Sequence, residues 1–258
     1  RLQGDWSSDV CSSDLPPTVL SFEPPTDNTV GGFYLAEDRL SVRTVSVRRM
    51  READRTATVR YGIPSIVLME NAGAACAREL SRHRTRYGRH VLVLAGDGNN
   101  GGDAYAAARH LFIAGYRVAV LCTAPPRADR SDALIQSAIL SKMGVRVSPV
   151  RSGSGLASAF AGKGWIVDGL YGTGLKREVT GLPAELIRRA NATGRPILAI
   201  DIPSGLDATS GRPHGDAIRA RITVALAAAK PGLVKPSARA YTGRLVVADI
   251  GMPRESFE

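Results

Sequence analysis

Hydrophobic positions follow two spacings along the chain after residue 45. Apolar residues recur every three or four positions between Val47 and Ala57 and again from Ile66 to Ala75, the spacing of one helix face. Pro64 separates these two predicted helices. From His90 onward, short continuous apolar runs alternate with helical spacings. This alternation is typical of buried strands that are joined by helices.

The apolar runs predict a strand in each of the segments His90–Gly96, Arg117–Thr123, Val145–Val150, Trp165–Gly172, Arg195–Gly205, Ile222–Lys230 and Arg244–Gly251. Further helices are predicted from about Asp103 to Ala114, from Ser131 or Asp132 to Gly144, and over Leu182–Gly194. Strand–helix–strand units of this kind form a mostly parallel sheet that is covered on both faces. The sequence therefore predicts one α/β domain over residues 44–258.

Residues 1–43 differ from the rest of the chain. Residues 1–15 show neither a strand nor a helix period and have no basic region followed by an apolar one, so we interpret them as a non-native leader. Residues 16–43 are rich in Pro, Thr and Gly and are predicted to be a disordered lead-in.

The net charge of +10 and the pI near 10.0 raise the question of an anionic partner. The basic residues are scattered rather than clustered, and aromatic residues make up only 5% of the chain, so we predict no nucleic-acid partner. No apolar run is long enough to span a bilayer, so no membrane partner is predicted either.

The chain has three cysteines, Cys11, Cys76 and Cys122, whose spacing fits neither a metal site nor paired disulfides. Cys76 and Cys122 lie in apolar segments and are interpreted as buried free thiols of a reducing compartment, which favours the cytoplasm. Without a Cys/His cluster, zinc chemistry is not expected.

Three of the predicted strands end in glycine-rich segments that contain carboxylates. These segments read "LAGDGNNGGD", "IVDGLYGTGLKREVTG" and "AIDIPSGLDATSG". In a parallel sheet they open on the same edge, where ligands of such sheets bind. Their convergence predicts the functional site.

In the first segment, glycines are expected to let the backbone approach a ligand, and the helix that follows offers free N–H groups to a phosphate. The amide oxygens of Asn99 and Asn100 suit a monovalent cation or a carboxamide ligand. A helix-entry turn that is merely capped by Asp103 is the alternative.

In the other two segments, Asp168 and Asp201 lie at strand ends. Asp168 either serves the site or caps the next turn, and Lys176 or Arg177 is placed to meet a phosphate. Asp201 follows an apolar run, where a buried carboxylate needs a partner. Ser204 is placed to face an ion, whereas Asp207 fits an ordinary turn. Lys230 either reaches the same edge or is solvated.

These motifs, together with "KPGL" and the opening "MREADRTATVRYGIPSIVLMENAG", resemble the NAD(P)H-hydrate epimerases of the YjeF N-terminal family from about Val45 to Pro253. The resemblance implies a Rossmann-like three-layer α/β/α sandwich and a homodimer. It implies an isomerase that interconverts the R and S forms of hydrated NADH and NADPH, so that a companion dehydratase can restore the cofactor.

Carried over motif by motif, the resemblance implies three sets of site residues. Substrate contacts fall on Asn99, Asn100, Gly101, Gly102, Asp103, Gly172, Thr173, Gly174, Leu175, Lys176, Arg177, Glu178 and Asp201. The implied ligands of a potassium ion are Asn100, Asp168 and Ser204. The implied catalytic residues are Asp201 and Asp168. One departure is Ala104, where relatives commonly have Gly.

The mechanism expected from these residues is acid–base chemistry at C6 of the hydrated ring. Asp201 would move the proton of the C6 hydroxyl while Asp168 and potassium hold the loops. The alternative function is a non-enzymatic nucleotide- or protein-binding module on the same fold. A module of that kind would not need Asp168, Asp201 and Ser204 together.

Overall fold

The computed structural model describes residues 33–35, 44–83, 87–127, 131–150, 155–162 and 164–258, with the backbone alone for 33–35, 131 and 155. Its strands are β1 (Phe33–Leu35), β2 (His90–Ala95), β3 (Arg117–Cys122), β4 (Val147–Pro149), β5 (Trp165–Gly169), β6 (Ile197–Ile200), β7 (Ile222–Leu226) and β8 (Arg244–Ala248). Its α-helices are α1 (Val47–Val59), α2 (Ser65–Ser81), α3 (Asn99–Ile113), α4 (Ser131–Lys142), α5 (Gly155–Phe160), α6 (Gly181–Ala192) and α7 (Arg239–Thr242), and 3₁₀ turns cover Pro231–Val234, Pro236–Ala238 and Arg254–Phe257.

The strands form one sheet in the order β1-β8-β7-β6-β5-β2-β3-β4. Every neighbouring pair is parallel except β1 with β8. The chain leaves β2 toward β3 and β4, then returns to β5 on the other side of β2. The crevice beyond the carboxyl ends of β2 and β5 is therefore the switch point where ligands of such sheets bind.

Helices cover both faces of the sheet. On one face, buried residues of α2 and α3, such as Leu80 and Leu111, pack with Val93 and Val167. On the other face, α5 and α6 pack their apolar residues against the opposite side chains of the same strands, for example Ile187 near Ile166. The prediction of a Rossmann-like three-layer sandwich with a mostly parallel sheet is confirmed.

Of the predicted lead-in, the structure describes only Phe33–Leu35. These residues are not disordered, because they pair with β8 in register Phe33↔Ala248 as a short edge strand. The predicted leader, residues 1–15, lies outside the described residues. So does Cys11.

Two predictions of local structure are corrected. Helix α3 begins at Asn99, not near Asp103, so Asn99 through Gly102 form its first turn. Helix α5 was not predicted at all. In the described part of the chain, no helix has the length and apolar character that crossing a bilayer requires.

Candidate functional site

Two glycines fix how closely α3 approaches the switch point. A Cβ added at Gly96 would lie 2.0 Å from the carbonyl oxygen of Leu170, and one at Gly101 would lie 2.0 Å from the carbonyl oxygen of Gly96. At Gly102 an added Cβ would meet Met69 at 2.5 Å. At these three positions the missing Cβ makes room for protein atoms. That the backbone of this segment also approaches a ligand stays a prediction.

We expect Gly96→Ala to lower the free energy of unfolding by about 3 kcal/mol, the upper part of the range for overpacking, because backbone is what obstructs the new methyl group. Gly98→Ala is the matched control. Nothing lies within 4 Å of its added Cβ, and its φ is −105°. That change should cost less than about 1 kcal/mol. Urea unfolding of both variants checks the difference, and equal losses would contradict the packing argument.

Asp168 and Ser204 meet at the carboxyl ends of β5 and β6. Asp168, the fourth residue of β5, is fully buried. Its Oδ2 accepts from the Ser204 backbone N–H at 2.8 Å, and its Oδ1 accepts from the Ser204 hydroxyl at 2.6 Å. The Ser204 oxygen in turn accepts from the Tyr171 backbone N–H at 2.8 Å. These bonds tie the loop after β5 to the loop after β6.

The Asp168 carboxyl is shifted toward its protonated form. Burial raises its pKa from 3.8 to about 6, and the hydrogen bonds from Ser204 and Leu170 limit that rise. Because the native state holds this proton more tightly than the unfolded state, the stability from this group is complete below pH 3.8 and is lost as the pH rises through about 6. At neutral pH the buried carboxylate lacks a cationic side chain among its hydrogen-bond partners.

Asn100, in the first turn of α3, brings a polar side chain to the loop after β5. Its Nδ2 is buried and has no hydrogen-bond partner among the described residues. Its side chain packs beside Gly172, where an added Cβ would lie 3.4 Å from Asn100 Cγ. The oxygen atoms of a buried carboxylate, a hydroxyl and an amide are the ligand type that suits a hard cation, whereas the spare Nδ2–H donor of Asn100 is free to bind an acceptor.

Asp201 lies directly after β6 and pairs with Lys230. The Lys230 ammonium group donates to Asp201 Oδ1 and to the Leu226 carbonyl oxygen, the latter at 3.1 Å. Lys230 is 1% exposed. The expectation that a carboxylate at this strand end needs a partner is confirmed, and the alternative of a solvated Lys230 is wrong.

The backbone at Asp201 is strained. Its φ is +64°, and the N–H of Ile202 bonds to the carbonyl oxygen of Ile200 at 2.7 Å, which closes a tight γ-turn around it. The end of β7 repeats this turn at Ala227, with φ +59° and a bond from Ala228 to Leu226. Strained backbone of this kind clusters at functional sites, and here it holds the Asp201 carboxylate at the edge of a cleft.

The cleft has a volume of about 210 Å³. Four charged residues line it: Asp54 from α1, Asp103 from α3, Asp201 and Lys230. Its other lining residues are Met50, Thr58, Ser65, Leu68, Met69, Ala72, Asn99, Thr173, Leu226 and Ile250. The arrangement places three carboxyl groups and one lysine in the same cleft.

Two of these carboxyl groups are shifted toward protonation. Burial raises the pKa of Asp103 well above its usual range, and the charges of Asp201 and Asp54 add to the rise. Burial also raises the pKa of Asp54, with Lys230 lowering it and Asp201 raising it. The cleft therefore combines a lysine-paired carboxylate with carboxyl groups that hold protons more readily than usual, the combination that acid–base chemistry uses.

The structure brings together only part of the predicted site. Asn99, Asp103, Thr173 and Asp201 line the cleft, whereas Asn100, Asp168 and Ser204 are not among its lining residues. Within the loop before α6, Gly174, Lys176, Arg177 and Glu178 are exposed, and Leu175 packs partly against the core.

Asp54 was missed by the sequence reasoning. Met50, Asp54 and Thr58 recur every four residues and form one stripe of α1 that faces the cleft. The helical period places Asp54 outside the apolar face of Met50, Ala53 and Ala57, so the sequence offered no signal for it.

Comparison with known proteins finds one matching family and several similar proteins. The family described as YjeF-related protein N-terminus matches residues 65–232. The NAD(P)H-hydrate epimerase of Rhodopirellula baltica is 38% identical over 241 residues, which cover 93% of this chain and 97% of that protein. The NAD(P)H-hydrate epimerase of Lentilactobacillus buchneri is 37% identical over 212 residues, covering 82% and 96%.

A longer relative is the bifunctional NAD(P)H-hydrate repair enzyme Nnr of Moorella thermoacetica, which is 41% identical over 216 residues. The match covers 82% of this chain and 41% of that enzyme, so the chain spans about two fifths of its length. The crystal structure of a yeast protein, YNL200c, superposes with a TM-score of 0.71 at 24% identity, covering 83% of this chain and 92% of that one. That likeness supports the fold.

Proposed function

The chain belongs to the family of YjeF-related protein N-termini, and from this membership we propose that it is an NAD(P)H-hydrate epimerase. In this role it is an isomerase that interconverts the R and S forms of hydrated NADH and NADPH. The resemblance noted in the sequence motifs and the names of the relatives agree on this activity. The observation that carries the proposal is the Asp201–Lys230 pair at the edge of a cleft that also holds Asp54 and Asp103.

The size of the cleft fits the reacting part of such a substrate. A volume of about 210 Å³ suits a nicotinamide ring better than a whole dinucleotide. The rest of the substrate would lie along the segment from Gly172 to Glu178, where Lys176 and Arg177 are exposed and can meet its phosphates. Asn99, Asp103 and Thr173 would contact the ring end, with Asn100, Gly101 and Gly102 beside them in the first turn of α3.

The chemistry requires the C6 hydroxyl to leave and to return. When that oxygen takes up a proton, it departs as water, and the lone pair of N1 forms a double bond to C6, which leaves a planar cation. Water then adds to the other face of C6 and gives up a proton, so the reaction is balanced without any co-reactant. Asp201 exchanges a proton with this hydroxyl.

We assign Asn100, Asp168 and Ser204 to a potassium ion. The buried Asp168 carboxylate and its Ser204 hydroxyl partner support this assignment, and Asn100 would contribute its amide oxygen. A bound cation would supply positive charge that compensates Asp168 and would hold together the loops after β5 and β6. Asp168 is thus given a positioning role, because it does not line the cleft.

We expect potassium chloride to raise the melting temperature at pH 7.5 relative to the same concentration of tetramethylammonium chloride, because a cation that binds the native state stabilises it. The rise should shrink at pH 5, since the Asp168 carboxyl, with its pKa raised to about 6, then holds a proton. Thermal unfolding in the two salts at both pH values measures the effect. Asp168→Asn should remove the difference between the salts, and a variant that keeps it would contradict the assignment.

The experiment that tests the function follows the epimers directly. The protein is mixed with S-enriched hydrated NADPH, and the ratio of S to R is followed against the spontaneous rate. The proposal predicts faster approach to equilibrium in proportion to protein concentration. Tight binding of the ligand without acceleration would instead favour the non-enzymatic binding module.

We also propose three properties that follow from the same function. A dehydratase that acts on the epimer formed is the functional partner, which the name of the bifunctional relatives supports. The protein is a homodimer, supported by the exposed apolar residues Leu134, Ile135 and Ile139 of α4, and light scattering tests it. The free buried thiols Cys76 and Cys122 support a cytoplasmic location.

A further inference from the structure

Helix α1 forms a fixed wall of the cleft. Just before the helix, the N–H of Val45 bonds to the carbonyl oxygen of Ala229 at 2.8 Å, and Met50 packs with Ala228. These contacts join α1 to the segment that carries Lys230. These contacts place the stripe of Met50, Asp54 and Thr58 in the same cleft as the ion pair.

Asp201 is held too firmly to serve both faces of a ring. Its Oδ1 accepts from the Leu226 backbone N–H at 3.2 Å as well as from Lys230. Its backbone is fixed in the left-handed region by the turn around it. Inversion at C6 requires departure from one face and return on the other, so a second group has to handle the proton on the second face.

We infer that Asp54 is that second catalytic group, exchanging a proton with the oxygen on the face of C6 that Asp201 does not serve. The inference rests on the proposed epimerase function. Asp54 comes from α1, whereas Asp201 comes from the end of β6, so the two carboxyl groups enter the cleft from different elements. In one direction Asp54 gives its proton to the departing hydroxyl while the Asp201 carboxylate takes one from the water that adds on the other face, and in the reverse direction the two roles exchange.

Solvent access distinguishes Asp54 from Asp103. Asp103 is 9% exposed, whereas Asp54 is exposed at the mouth of the cleft. A group that exchanges a proton in each turnover has to equilibrate with bulk water, which Asp54 can do directly. Although the residue keeps an exposed surface, the protein around its carboxyl group partly removes water and raises its pKa from the usual 3.8; the Lys230 charge lowers that pKa, and the Asp201 charge raises it. Asp54 and Asp103 also repel each other. This shift toward neutrality suits proton exchange.

The test separates inversion from oxygen exchange. Each pure epimer of hydrated NADPH is incubated in ¹⁸O-labelled water with wild-type protein, with Asp54→Asn and with Asp54→Glu. Wild-type protein should invert both epimers and label both. Asp54→Asn should invert at least about 100-fold more slowly, the loss expected for an acid–base group. It should still label the one epimer whose hydroxyl faces Asp201, and Asp54→Glu should recover part of the inversion.

The matched control is Glu52→Gln on the same helix. Glu52 pairs only with Arg48 and Arg49 in the contacts described and does not line the cleft, so this variant should invert at the wild-type rate. Inversion by Asp54→Asn at the rate of Glu52→Gln would overturn the inference. A parallel loss of inversion and of labelling in both epimers would overturn it as well, since that marks a structural role. Wild-type protein without activity would instead refute the epimerase function itself.

Discussion

Asp201→Asn is expected to slow the interconversion of the R and S epimers by about 10²- to 10⁴-fold, the contribution typical of a positioned acid–base group. The amide cannot exchange the proton of the C6 hydroxyl at neutral pH. Its oxygen can still accept from Lys230, and Asn tolerates the positive φ of +64° at this position nearly as well as Asp. The loss should therefore fall on the rate and spare substrate binding.

The variant is measured by following the epimer ratio at saturating hydrated NADPH, with far-UV circular dichroism as the check on folding. Asp207→Asn is the matched control from the same loop. Asp207 accepts from the backbone N–H groups of Thr209 and Ser210, a turn role that Asn can also fill, and it does not line the cleft. If Asp201→Asn kept activity within tenfold of Asp207→Asn, Asp201 would not be the proton-transfer group.

Strand periodicity predicted which residues lie on the ligand edge of the sheet. Asp168, Asp201 and Lys230 were placed at or after strand ends, and the structure has them at the ends of β5, β6 and β7. The sequence did not predict that Asp168 would contact Ser204 while Asp201 would pair with Lys230. Asp201 meets Lys230 only because β6 and β7 are neighbours, and sequence alone does not specify the strand order.

The start of α3 shows where local propensity fails. Glycine weakens a helix, so "GNNGG" favours a loop. The structure has Asn99 through Gly102 in the helix, because the small residues let α3 pack against the backbone of Gly96 and against Met69. Tertiary packing at this helix end outweighs the propensity of the individual residues.

Asp54 shows a different reason for failure. The period of α1 predicted the buried positions Met50, Ala53 and Ala57. It could not distinguish a polar residue that faces bulk water from one at the mouth of a cleft. That distinction depends on how α1 docks on the segment after β7, which involves residues far apart in the chain.

Lys230→Met is expected to lower the free energy of unfolding at pH 7.5 by about 3–5 kcal/mol, the usual cost of removing one partner of a buried ion pair. Met fills similar space but leaves the Asp201 carboxylate, 13% exposed, beside Asp54 and Asp103 without a cation. Part of the loss should be recovered at pH 5.5. The pKa values of Asp54 and Asp103 are raised in the native state, so their protonation on acidification relieves the repulsion.

A double-mutant cycle in urea isolates the pair. Lys230→Met removes the cation, Asp201→Asn removes the charge it compensates, and the double variant leaves neither group buried without a partner. We expect the double variant to be more stable than the sum of the two single losses predicts, by about 1–3 kcal/mol. Strict additivity would mean that Lys230 stabilises the fold through its packing and its bond to the Leu226 carbonyl oxygen, and that Asp201 depends on other groups for its charge.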